Sequence, residues 1–288
     1  PRAARGRPYD RFAPGQAVDA DVREAAHDEP QEEGRRLEGR RPQEQRPVGN
    51  EHASRRSWGA CRRESRQAGK IRLVRAVLVL GLVVVSAFLG LLLWTTDGHF
   101  VPQVSDFYVV AQYAKAMAEG HPFQYNAGEA PTTGATSLLH TAILALAHAA
   151  GARGEGLVAF AVLFGAALYL ASLPLAMRVG ARLAGPREGR LAGALVALSG
   201  PVVWGYLYGS DIALFLFLAL LLLDRWLAYW SGGSAAGFAA TGVAVALARP
   251  EGLPMAVVLA AASLRRPERP TSRRERLLPW VPVAAGLA

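Results

Sequence analysis

The chain has 288 residues and a formal net charge of +9, and 51% of it is hydrophobic. Its one cysteine, Cys61, excludes an intramolecular disulfide and a cysteine-built zinc site. Arg clusters beside apolar runs suit the flanks of membrane spans, and the Arg pairs of the first 70 residues have no aromatic interleaving and no nucleic-acid module, so nucleic acid is not an expected partner.

The mean hydropathy of +0.17 averages two different populations. Residues 1–70 are rich in Arg, Glu, Pro, Gly and Gln, with Arg35-Arg36, Arg40-Arg41, Arg55-Arg56 and Arg62-Arg63 interrupted by acids. Such a segment has too little apolar surface to offset chain entropy, and it reads as a disordered basic tail with a reduced, cytosolic Cys61. Residues 71–288 are rich in Leu, Ala, Val and Gly and carry runs long enough to cross a bilayer. The chain opens on Pro1, its first methionine is Met117, and it stops inside an apolar run that begins near Leu277. The expectation is a membrane domain truncated at its C-terminus, and a start near Val74 or Val77 would leave the tail outside the natural coding sequence.

The first span covers residues 73–94. From Ala76 to Trp94 it holds no charge and one hydroxyl, Ser86. At ~1.5 Å per residue this run crosses a ~30 Å hydrocarbon core. Lys70, Arg72 and Arg75 precede it, which places the N-terminus in the cytoplasm. No small-x-small cleavage site follows, so an uncleaved anchor is favoured over a signal peptide. Next, Ser105 can cap a helix with Asp106 in its first turn. Phe107, Val110, Ala111, Ala114, Met117 and Ala118 recur at helical spacing, and Gly120 with Pro122 stops the helix. A polar loop with the turn Asn126-Ala127-Gly128-Glu129 follows.

Residues 138–150 are apolar, too short to span, and carry His140 and His148. They read as a juxtamembrane or re-entrant helix on the outer side. Residues 156–177 form the next span. Arg178, Arg182, Arg187 and Arg190 against Glu188 put the loop after it inside. Residues 191–208 go outward to the interfacial tyrosines Tyr206 and Tyr208, residues 209–211 turn, and residues 212–230 return inward. The stretch 235–264 is cut by Arg249-Pro250-Glu251-Gly252 into two halves, each short for a span. With the basic run 265–276 inside, these halves form an outward-and-back hairpin. Asp106, Glu129, Asp211, Arg249 and Glu251 all fall on the outer side. The chain has no P-loop, no GxGxxG after a strand, no HExxH and no GxSxG, which argues against a soluble nucleotide-using enzyme.

Charged residues inside or beside spans are costly unless paired or wet, and so are candidates for function. Asp106, at a helix N-terminus that favours the carboxylate, can accept a proton. Arg249 can fork onto a phosphate, or merely pair with Glu251. Lys115 on the polar face of the same helix as Asp106 can meet phosphate or solvent, and Glu129 and Asp211 can be a loop acid and a span cap. His99, His121, His140 and His148 have no metal-ligand spacing with another His or Cys, and no structural metal is expected.

The segment Asp106-Phe107-Tyr108, with Ala114, Ala118, Gly120, Phe123, Tyr125-Asn126, Gly128-Glu129 and Thr136-Ser137-Leu138, resembles the first outer loop of GT-C glycosyltransferases, the superfamily that includes protein O-mannosyltransferases. The Arg-Pro-Glu-Gly break resembles that family too, whereas Ser210-Asp211 stands where many relatives have Met-Glu after Gly. The resemblance, over about residues 71–264, implies an all-α polytopic membrane domain of the cell membrane. Its donor would be a polyprenyl-phosphate sugar, and its acceptor an unidentified glycan, lipid or protein.

The implied reaction is inverting transfer to a hydroxyl on the extracytoplasmic face. Asp106 is then the general base and Asp211 a second active-site acid. Arg249, Glu251, Lys115, Glu129 and Tyr108 are the implied substrate contacts, and the carrier tail runs through a lipid-facing groove near 138–150. Some relatives use a divalent cation and others do not; such an ion would here bridge Asp106 and Asp211. The rival readings are a transporter or flippase-like protein, since broken helices and outer acids occur there as well, and a non-catalytic protein on the same scaffold.

The charge pattern puts residues 96–155 outside and residues 178–190 inside. On a Cys61→Ser background in intact cells, a cysteine at position 128 should react with an impermeant reagent and one at 187 should not; the reverse pattern overturns the topology.

Overall fold

The computed structural model describes residues 72, 74–132, 134–265 and 277–282. The expected tail, 1–70, and most of the basic run after residue 265 lie outside the described residues. Among the described residues there is no strand. The architecture is an all-α, multi-pass membrane bundle of nine helices among the described residues. These are α1 Val74–Thr95, α2 Asp106–Ala118, α3 Leu138–Ala149, α4 Glu155–Leu183, α5 Pro186–Leu198, α6 Gly200–Leu207, α7 Ile212–Trp230, α8 Ala235–Ala248 and α9 Gly252–Ser263, followed by a 3₁₀ turn at Leu278–Trp280. Helices α1, α4 and α7 are long and apolar enough to cross a membrane, and α5 with α6 makes a fourth crossing if the bent pair is one span.

Helices α1 and α4 pack antiparallel. Gly81, early in α1, lies against Leu170 and Leu173 late in α4, while Leu92 joins a cluster with Leu157, Val158 and Ala161 at the start of α4. Helix α7 then lies along α4 and α8 along α7. The periodic face expected for α2 is the one it buries: Phe107 and Ala114 enter the core, and Val110, Ala111, Met117 and Ala118 pack against it, next to α3. Ser105 does not cap α2 as the sequence suggests. It already has helical backbone angles, φ −63° and ψ −31°, and makes no side-chain cap bond. A cap hydroxyl reaches the free N–H groups from an extended backbone, and this one is turned too early.

The expected single span over 191–208 is also corrected. The helix starts earlier, at Pro186, and the chain bends by 62° between α5 and α6. Ser199 is extended, φ −74° and ψ 107°, and Pro201 sits in the first turn of α6. A proline has no N–H and clashes with the preceding turn, so it begins a helix more readily than it continues one. The break leaves carbonyls at the end of α5 without helical partners. The Tyr169 hydroxyl of α4 donates to one of them, Ala197 O, at 2.8 Å, and Ser172 Oγ and Tyr206 Oη share a hydrogen bond of 2.7 Å just beyond the bend.

At the Arg-rich end, Asp224 of α7 is 3% exposed. Arg182 of α4 donates to its carboxylate at 2.8 Å, and Arg178 Nε lies 3.6 Å from it. This buried acid in a leucine-rich run had no expected role; the structure gives it the pairing that a buried charge requires.

Helix α4 meets the end of α6 closely because it carries Gly165, where a Cβ would run into the Tyr206 backbone carbonyl. Gly165→Ala should therefore lower thermal stability in detergent, by about 1–3 kcal/mol for an overpacked contact. Gly90→Ala, with nothing within 4 Å, should be neutral or slightly stabilising. Equal melting temperatures for the two variants would contradict this packing.

Candidate functional site

Four separate pieces of chain converge at the end of the bundle opposite Asp224: the start of α2, the start of α3, the α6–α7 turn and the α8–α9 break. They enclose a cavity of about 440 Å³ lined by Asp106, His140, Trp204, Tyr208, Asp211 and Arg249, among others. Asp106 enters it from the first turn of α2. Gly209, at φ 85°, makes the turn that delivers Ser210 and Asp211 to the start of α7.

Asp211 is 9% exposed and its carboxylate is held from two sides. Ser210 Oγ donates to it at 2.6 Å, and Arg249 Nη1 lies 3.3 Å from Oδ2. The other edge of the guanidinium faces Glu251, with Nη2 donating to Oε1 at 3.1 Å. Arg249 thus links α7 to the break between α8 and α9, and is not paired only within its own turn. The Arg249 hydrogen bonds hold the exposed Glu251 carboxyl below the usual carboxylate range. Tyr208 stacks on Trp204 with centroids 4.4 Å apart and planes at 3°. Burial pushes the Tyr208 phenol up, against the Ser210 hydrogen bond, with Asp211 and Asp106 adding to the rise and Arg249 opposing it.

The remaining expected residues lie elsewhere. Tyr108 and Lys115 line a second cavity of about 420 Å³ with Phe100, His148 and Glu155; Phe107 borders both cavities. Glu129 closes its own turn, accepting from Asn126 Nδ2 at 2.8 Å. His140 is the residue that spacing arguments set aside. It is 2% exposed on the third position of α3, and its backbone N–H is taken by the Ser137 cap. The available signal was a histidine just after Thr136-Ser137 at the start of an apolar helix, where a polar ring must have a reason to be inside.

Among the described residues no three His, Cys, Asp or Glu side chains are placed to hold a metal ion, and a guanidinium already occupies the flank of Asp211.

The Arg249–Glu251 pair has a titration consequence. Its stabilising contribution is present above the ordinary glutamate pKa and is lost as pH falls through the lower value that Glu251 has in the folded protein. Arg249→Met should therefore move the Glu251 titration upward, toward that of a free glutamate. Carboxyl NMR on glutamate-labelled protein, assigned with Glu251→Gln, measures it; an unmoved titration would show that the pair does not form in solution.

Comparison with known proteins leaves the site to be read from its own geometry: the chain matches no protein-family model, no curated protein and no solved structure.

Proposed function

We propose that the chain belongs to a membrane glycosyltransferase that moves a sugar from a polyprenyl-phosphate carrier to an acceptor hydroxyl on the extracytoplasmic face. The observation that carries the reading is the convergence of Asp106, Asp211 and Arg249 on one cavity from three elements far apart in sequence. A proton acceptor and a phosphate-binding cation at one membrane-adjacent cavity are what this transfer requires.

In the proposed reaction the acceptor oxygen attacks the anomeric carbon from the face opposite the phosphate. The new carbon–oxygen bond forms as the bond to phosphate oxygen breaks, and the configuration inverts. Asp106 takes the acceptor's proton, and polyprenyl monophosphate departs with the bonding electrons. Arg249 meets the developing phosphate charge, and Asp211 holds Arg249 in place. Lys115 and Tyr108, on the adjoining cavity, are proposed carrier contacts. Glu129 is committed to its turn and stays outside the chemistry.

One observation favours a second reading, transport. The break before α9 borders the cavity and a bend precedes α6, whose Trp204 lines it, and broken helices around a site are a transporter device.

Transfer of labelled sugar from polyprenyl phosphate, in membranes carrying the full-length protein, separates the two. Asp106→Asn keeps size but removes the proton acceptor, and should slow transfer by ~10²–10⁴-fold with expression unchanged. Near wild-type transfer by this variant would remove Asp106 from the chemistry.

A further inference from the structure

His140 is nearly sealed inside the protein, yet neither ring nitrogen has a hydrogen-bond partner among the described residues. Buried polar atoms are nearly always partnered, and leaving one unmet costs about 1–3 kcal/mol. His140 is among the residues lining the same cavity as Asp106, Asp211 and Arg249. Its place is fixed by the start of α3, where Thr141 Oγ1 donates to Ser137 O at 2.7 Å and the His140 N–H meets Ser137 Oγ at 3.4 Å.

Burial pushes the imidazole down to about 4, against the pull of the Asp211 carboxylate. The ring is then neutral at physiological pH, with one nitrogen donating and the other accepting. A sugar hydroxyl, which both donates and accepts, complements that pair. A phosphate, which needs donors, does not. The charges point the same way: Asp106 and Asp211 face the cavity, and the one cation among its lining residues, Arg249, is already shared between Asp211 and Glu251. Away from Arg249 the charged lining is carboxylate only, which disfavours an anion on that side and can accept from hydroxyls. Trp204, stacked on Tyr208, adds a flat aromatic face to the same lining.

We propose that His140 is a substrate-binding residue that hydrogen-bonds a hydroxyl of the uncharged sugar, seating the sugar on the His140–Asp211 side of the cavity while the carrier phosphate stays at Arg249. This rests on the glycosyltransferase reading and adds to it a residue and an orientation of the donor. The sugar end is read by hydrogen bonds to a buried ring, and the phosphate end by charge.

The test measures transfer kinetics of the full-length protein with polyprenyl phosphate carrying labelled mannose, glucose, galactose or arabinose. Sugar-free polyprenyl monophosphate serves as the competitor. For whichever sugar the wild type uses, His140→Phe should raise KM about tenfold or more, equal to about 1.4 kcal/mol. The inhibition constant of the sugar-free carrier should not change. His140→Gln, which restores a donor and an acceptor, should bring KM back to within about threefold of wild type. If His140→Phe does not fold, His140→Leu makes the same test with a smaller side chain.

An unchanged KM overturns the assignment and makes His140 a core residue satisfied by a trapped water. Equal loss of loaded and sugar-free carrier overturns it as well, since the ring would then serve the phosphate. In both cases wild-type transfer stands, and only the role of His140 falls. A wild type that neither transfers any of these sugars nor binds either carrier overturns the glycosyltransferase reading and this inference together.

Discussion

The ion pair between Asp211 and Arg249 is the contact on which this end of the bundle depends. Its partners are separated by 38 residues, and each sits where an apolar helix begins or breaks. Neither charge could stay there alone, because a half-buried ion beside lipid must be paired, hydrated or neutralised. Pairing them brings the turn before α7 to the break before α9. With that corner closed, the first turn of α2 and the start of α3 complete the wall. The cavity is a consequence of satisfying two charges, and it retains an acid, Asp106, that the pairing does not use.

A second pairing does the corresponding work at the far end. Asp224 lies 13 residues beyond Asp211 along α7, and it is clasped by Arg178 and Arg182 of α4. One helix is thereby fastened at both ends to different neighbours. The hydrophobic clusters between these points are built from Leu, Ala, Val and aromatic side chains and have little intrinsic register. The ionic fastenings supply it, a use of buried charge in which specificity matters more than net stabilisation.

The spans were legible in the sequence because lipid permits few solutions: uncharged runs of sufficient length marked α1, α4 and α7, and the Arg-Pro-Glu-Gly break marked where α8 ends and α9 begins. The two errors came from local chemistry. Pro201 after Ser199-Gly200 broke a run that average hydropathy carries straight through. Ser105, a residue type suited to capping, was turned too early to cap. Asp106, Asp211 and Arg249 were legible as candidates because charge beside a span is costly. His140 was not, because a histidine in an apolar helix has no pattern of its own. Only the packing around it reveals that the ring has no partner among the described residues, and only the fold reveals which cavity the residue lines. The separation of Lys115 and Tyr108 from Asp106, on two sides of Phe107, likewise needed the third dimension.

The bend between α5 and α6 has a mechanical meaning. A hinge needs backbone groups that exchange partners cheaply, usually with water. Here the Tyr169 hydroxyl holds Ala197 O, the Ser172–Tyr206 contact holds the next helix, and the Tyr206 backbone rests on Gly165 with no room for a methyl group. Swinging α6 would unmake these contacts in a medium that offers no replacement. The corner is a rigid bracket, cast by side chains of α4, and it carries Trp204 and Tyr208 to the cavity at a fixed angle.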